Sequence, residues 1–192
     1  SLTNPSKLAN TFKSERQIGI GSETIEKYLG YFEESFLVEK AVRYDVKGRK
    51  YIGTSAKYYY TDMGLRNARL EFRQLEETHI MENVLYNYLI RRGMNVDVGV
   101  VEYNTKDPGG KKIRKQLEVD FVARGNKGVQ YIQVAASVRD ENTLSRELAS
   151  LQRISDNYPK VILTLDEDPE ADYEGIRRIN ALDWLVGKAE YL

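Results

Sequence analysis

The sequence predicts an α+β fold in two parts: a small helical unit closed by a hairpin, then a larger α/β unit built on a central mixed sheet. Three observations carry this. Between residues 4 and 35, N-cap signals and apolar residues at helical spacing mark two helices. Between residues 116 and 135, apolar and polar residues alternate on both sides of the turn Arg124-Gly125-Asn126-Lys127-Gly128, the pattern of a β-hairpin. Beyond residue 140, a helical stripe followed by a short apolar run has the order of a crossover to a parallel strand. The expected division falls between 1–73 and 74–192.

Asn4 is a good N-cap and Pro5 suits the first helical position, so a helix should run to about Ser14 with Leu8, Thr11 and Phe12 on its inner side. After the turn Gln17-Ile18-Gly19-Ile20-Gly21, Ser22 is expected to cap a second helix whose Ile25, Tyr28, Leu29 and Phe32 form a buried stripe. Residues 36–44 read as a strand that turns at Asp45-Val46-Lys47-Gly48 and returns over 49–52. Helix, turn, helix and hairpin is the order of a winged helix-turn-helix. In such a unit the second helix would enter the DNA major groove. Here it carries Glu23, Glu26, Glu33 and Glu34 around one cation, Lys27, and phosphates repel carboxylates. The hairpin is better suited to DNA, because Lys40, Arg43, Lys47, Arg49 and Lys50 cluster there and can bind backbone. Those cations equally suit an edge hairpin that must avoid sheet-to-sheet association. An acidic second helix, in turn, suits protein docking.

Residues 54–74 read as a linker carrying Tyr58-Tyr59-Tyr60, expected to pack a domain junction rather than to stack on bases, with Thr61 or Asp62 capping a short helix. A longer helix is expected over 75–92, ended by Gly93. Glu82 shares the side of Leu85 and Leu89, so its carboxylate should face the sheet and needs a metal, a cation or backbone donors. His79, without a histidine companion, reads as a helix-surface or domain-contact residue rather than a ligand. A strand over 95–103 leads to an exposed, mobile loop over 106–112, whose lysines read more simply as solvated than as phosphate ligands. In the central hairpin, Leu117, Val119 and Phe121 should point one way and Glu118, Asp120 and Val122 the other. On the return strand Tyr131, Gln133 and Ala135 share a face, opposite Ile132 and Val134, which brings Asp120 and Gln133 together at one sheet edge. Asn142 or Thr143 should cap a helix with Leu144, Leu148, Leu151 and Ile154 on one stripe. Strands over 161–165 and 175–180 and a last helix with Leu182, Trp184 and Leu185 complete the chain.

Composition narrows the function. The 29 Lys and Arg balance 29 Asp and Glu, so no global field points to nucleic acid. The front is mildly basic, with 13 cations against 9 anions over 1–73, and the remainder mildly acidic, with 16 against 20. With no cysteine and one histidine, disulfides, thiol nucleophiles, cysteine zinc sites and histidine-rich metal sites are excluded. No apolar run approaches the ~20 residues that span a bilayer, and no signal-peptide pattern is present, so a soluble cytoplasmic protein without a membrane partner is expected. The GxxxxGK[ST] phosphate loop is absent, so this chain by itself is not expected to hydrolyse ATP. It opens on Ser1 without an initiator methionine, which suggests a fragment of a longer protein.

The pair formed by Asp120 and Gln133-Val134-Ala135 resembles the core of the PD-(D/E)XK nucleases, where an Asp and an (Asp/Glu)-x-Lys hold Mg²⁺ and orient water. The order β-β-β-α-β behind an opening helix is similar to the same restriction-endonuclease-like architecture. The resemblance implies a vestigial site of Glu82, Asp120, Gln133 and Ala135, with Mg²⁺ on Asp120 and Glu82 only if activity survives. Alanine has no charge, donor or reach to replace the lysine, so a nuclease fold without cleavage is the leading expectation. A divergent nuclease would need Lys127 or Arg124 as the stand-in.

Several segments, among them Thr3-Asn4-Pro5-Ser6-Lys7-Leu8, Arg43-Tyr44-Asp45-Val46-Lys47-Gly48, Lys57-Tyr58-Tyr59-Tyr60-Thr61-Asp62-Met63-Gly64-Leu65-Arg66-Asn67, Glu118-Val119-Asp120-Phe121 and Asp156-Asn157-Tyr158-Pro159-Lys160, are together similar to the C-terminal region of bacterial and archaeal AAA-type ATPases that ends in a domain of unknown function. That resemblance implies an N-terminal ATPase domain, with ATP and Mg²⁺, outside this chain. The expected function is a non-catalytic accessory region that binds DNA through the winged helix. The alternatives are a docking platform for a protein partner or for self-association, and a divergent Mg²⁺-dependent DNA nuclease.

Overall fold

The computed structural model describes residues 2–73 and 76–188. Among these, six helices and eight strands form a mixed α+β fold around one mixed sheet. Helix α1 (Pro5–Arg16) starts where the sequence places it, with the Asn4 side chain accepting the Lys7 N–H at 2.8 Å. Helix α2 (Ser22–Glu34) is capped by Gly21 rather than Ser22, which is its first helical residue. The expected buried faces of both helices are largely open. No α1 residue is buried and Phe12 is 41% exposed, while in α2 only Ile25 is buried and Tyr28 and Phe32 are 51% and 43% exposed.

Strand β1 (Val38–Asp45) turns back into β2 (Lys50–Tyr60), the Asp45 carboxylate bracing the turn by accepting the N–H groups of Lys47 and Gly48. The first part of the stretch read as a linker, residues 54–60, is therefore strand. An eleven-residue run without proline, rich in tyrosine and small residues, favours a strand once a neighbour is present. Asp62 caps α3 (Met63–Arg69). Helix α4 (Glu77–Arg91) closes at Gly93, which adopts φ +74° and returns the chain to β3 (Asn95–Lys106). Leu75, the expected start of α4, lies outside the described residues. Strands β4 (Lys112–Gly125) and β5 (Gly128–Val134) follow, then α5 (Glu141–Leu151), capped by Asp140 instead of Asn142 or Thr143. Next come β6 (Lys160–Thr164), an unexpected short β7 (Ala171–Tyr173), β8 (Ile176–Asn180) and α6 (Ala181–Leu185).

The sheet order is β2-β1-β3-β4-β5-β6-β8-β7. Strand β1 runs parallel to β3, through Arg43–Asp45 opposite Val98–Val100, so the front hairpin extends the same sheet across the expected division at 73. The β3-β4-β5 meander is antiparallel, and β6 is parallel to β5 after the α5 crossover. Helix α4 covers one face over Leu85, Tyr86, Phe121, Ile132 and Val161. Helix α5 covers the other over Val119, Val122, Tyr131 and Ile162, with Leu148, Leu151 and Ile154 inward as their spacing requires. No described helix is long and apolar enough to cross a membrane.

Candidate functional site

Strict alternation along β4 fails at one place, and the site is there. Val119 enters the α5-side core, but Phe121 enters the α4-side core with Leu85 and Tyr86. The register against β3 shifts between Asp97 and Gly99, so Asp120 lies within a bulge. A bulge adds a residue to one strand and re-aims its side chains, and it cannot be seen in period two. Strands β4 and β5 also stop pairing at Phe121 and Ile132. Where they part, side chains take over from the ladder. The Asp120 Oδ2 accepts the Val134 N–H at 3.0 Å, and the Gln133 Oε1 accepts the Asp120 N–H at 3.1 Å. Asp120 and Gln133 thus meet as the sequence predicts, but to satisfy two backbone donors.

The other Asp120 oxygen faces a cation. Lys57 Nζ, on β2, lies 2.7 Å from Glu82 Oε1, 2.7 Å from Glu118 Oε1 and 3.0 Å from Asp120 Oδ1. Its side chain is 7% exposed, and those of Glu82 and Asp120 are 13% exposed each. Tyr59, two residues further along β2, donates its hydroxyl to Glu82 Oε1 at 2.6 Å while its ring stacks on Tyr86 at 4.1 Å. Glu82 does face the sheet, and its partners are a cation and a phenol. Lys57 and Tyr59 were not singled out in the sequence for this role, because residues 54–74 read as a linker. Their one signal is the i, i+2 spacing within a strand-forming run.

Electrostatics follow from burial and charge count. Burial opposes the Lys57 charge, but Asp120, Glu82 and Glu118 outweigh it and keep the ammonium protonated well beyond the ordinary lysine range. Three carboxylates share that one cation. Burial, opposed by Lys57 and reinforced by the Glu82 charge, pushes the Asp120 carboxyl up to about 7. Burial and the Glu82 carboxylate also hold the Tyr59 hydroxyl protonated.

The residues proposed for a nuclease centre do not fit Mg²⁺ as arranged. Gln133 has both ends of its amide engaged, since its Nε2 donates to Glu147 Oε2 at 2.8 Å. Glu147, buried on α5 and paired with Arg146, is a member the sequence reading missed. Ala135 packs in the α5-side core. Among the described residues, no group of three or more His, Cys, Asp or Glu side chains is disposed to hold a metal ion. The convergence point of the carboxylates is taken by the Lys57 ammonium. Neither expected stand-in reaches it. Arg124 pairs with Asp97 and stacks over Tyr44, and Lys127 is exposed in the β4–β5 turn. His79 pairs with Glu76 on the helix surface, as expected.

The expected DNA contacts divide in two. Lys40 lies over the Tyr58 ring and Arg43 donates to Gln116 Oε1 at 2.7 Å. Lys47, Arg49 and Lys50 are exposed at the hairpin end, Lys47 reaching only the Glu102 carbonyl.

Residues 1–76 match the model of a domain of unknown function, DUF8612. Over 185 residues the chain is 37% identical to an uncharacterized protein of Haemophilus influenzae, a match covering 96% of this chain and 42% of that relative. The chain therefore spans less than half the length of the curated relative it matches. No solved structure gives a significant match.

Proposed function

We propose that this chain is a non-cleaving, DNA-binding accessory region of a longer AAA-type ATPase, with a nuclease-like core as scaffold for the front hairpin. The observation that carries the reading is the closed carboxylate site. An ammonium held by three carboxylates at 2.7–3.0 Å supplies internally the positive charge that a metal would bring. The order α4-β3-β4-β5-α5-β6 and the parting of two strands at Asp120 support the nuclease-like ancestry. The exposed hairpin-end cations support backbone contact. The relative's length beyond the matched part supports a further domain.

The second reading, a docking platform for a protein partner or a second copy, has its own observation. Helix α2 and the residues after it expose Tyr28, Tyr31, Phe32 and Phe36 beside the glutamates that DNA would repel. That surface suits a protein better than a phosphate backbone. Only the helix order supports the winged-helix likeness, because the hairpin here is also part of the main sheet.

Anisotropy of a labelled duplex at low and physiological salt, with Mg²⁺ present and the DNA inspected afterwards, tests this. Salt-sensitive binding to intact DNA is expected. Cuts that disappear with Asp120→Ala would replace it by the divergent nuclease. Absence of binding at low salt would leave the docking platform.

A further inference from the structure

The β3–β4 hairpin reaches beyond its neighbours. Strand β1 pairs with β3 only at Val98–Val100, and β5 pairs with β4 only from Phe121 onward, whereas β3 and β4 stay paired out to Lys106 opposite Lys112. Residues 102–106 and 112–116 therefore form a two-stranded arm, with Asp107 and Lys111 closing its turn. The exposed loop expected over 106–112 is the turn at 107–111 that ends this ribbon.

Pairing across the ladder puts Glu102 with Gln116, Asn104 with Arg114 and Lys106 with Lys112 on one face. The other face is held at its base by Arg153 stacked on Tyr103 at 4.5 Å. On the first face Glu102 neutralises Arg114 and bonds Gln116. Among the described residues, the side chains of Lys106, Lys111, Lys112 and Lys115 have no ionic partner, and all four are exposed. The front hairpin is tied to the foot of this arm by Arg43 to Gln116 and by Lys47 to the Glu102 carbonyl. Lys50, opposite Asp45 and so level with Val100, and Arg49 in the turn before it lie towards the end of the sheet from which the arm extends.

We infer that the β3–β4 arm is a second nucleic-acid contact, a basic ribbon that follows the phosphates of a duplex together with the front hairpin. The inference rests on the DNA-binding reading above and adds a surface to it. From Glu102 to Lys106 the arm extends roughly 14 Å at the usual strand rise, about four base-pair steps at 3.4 Å each. A two-stranded ribbon is also of a width that the major groove admits. The unpaired ammonium groups fit a polyanion; Glu102 at the foot of the arm is paired with Arg114, and the Asp107 carboxylate at its tip accepts the Lys111 N–H.

Duplex binding by the full 192-residue chain, measured as a function of salt, tests the arm. Three variants are compared with wild type: Lys106→Gln/Lys111→Gln/Lys112→Gln in the arm, Arg49→Gln/Lys50→Gln in the front hairpin, and Lys13→Gln/Arg16→Gln/Lys27→Gln on the helices. The third removes as much charge as the first, from exposed helix positions. The arm variant is expected to lower the slope of log K against log salt by about 3 and weaken binding about tenfold or more at physiological salt. The helix variant should leave the slope near wild type. Equal losses in the arm and helix variants, or a wild-type slope in the arm variant while the front-hairpin variant loses affinity, would overturn the arm and leave DNA binding standing. Failure of wild type to bind at low salt would remove both.

Discussion

Two sets of lysines occupy the same sheet under opposite conditions. Lys57 is almost sealed from water and meets three carboxylates, whereas Lys106, Lys111, Lys112 and Lys115 stand on an arm in solvent without an ionic partner. A buried ammonium must be paired, and removing its partner or the ammonium itself exposes the others to a low-dielectric surrounding. A solvated ammonium contributes little to folding and remains available to a ligand. Residue type does not separate the two roles; burial does.

Lys57→Met removes the buried ammonium and has the largest expected effect. With the ammonium gone, Asp120, Glu82 and Glu118 face one another without a cation, and the cost is expected to be about 3–5 kcal/mol, as for other broken buried pairs. Urea unfolding followed by circular dichroism measures it, and a loss below about 1 kcal/mol would show that the cluster is hydrated and the site open.

Burial of the cluster also makes stability depend on pH. Asp120 is raised from 3.8 to about 7 by burial, so the folded chain holds its proton more tightly than the unfolded chain. Its contribution to stability is therefore fully present below the unfolded value and is lost as pH rises towards about 7. Asp120→Asn cannot titrate. Relative to that variant, wild type is expected to be more stable at acid pH than at pH 8, in paired urea titrations. The opposite trend would mean that Lys57 overcomes burial at Asp120.

The smallest effect belongs to the arm. Lys112→Gln should change stability by no more than about 0.5 kcal/mol, because the side chain is exposed and unpaired. A larger loss in thermal or urea unfolding would show that the arm lysines are structural and remove the contrast with Lys57.

The local patterns were legible where the chain itself sets them. Asn4 and Pro5 start α1, Gly93 ends α4, and Leu148, Leu151 and Ile154 turn inward, each for reasons of capping or period. The exposed faces of α1 and α2 were not legible, since amphipathic spacing marks a face able to bury and does not supply the surface that would bury it. Of the site, Glu82 and Asp120 carried a signal, Lys57 and Tyr59 carried only their i, i+2 spacing on β2, and Glu147 carried none. These three come from elements distant in sequence, and proximity across a sheet leaves no local periodicity.

Capping residues and apolar spacing already mark α1, α2, α4, α5 and the β4–β5 hairpin and turn Glu82 inward, because spacing and residue chemistry are properties of a single segment. The front hairpin joining the main sheet, the bulge that turns Asp120 out of register and the entry of Lys57 among the carboxylates arise only in the folded chain. Those outcomes depend on strand register and desolvation, which exist only when separate segments meet.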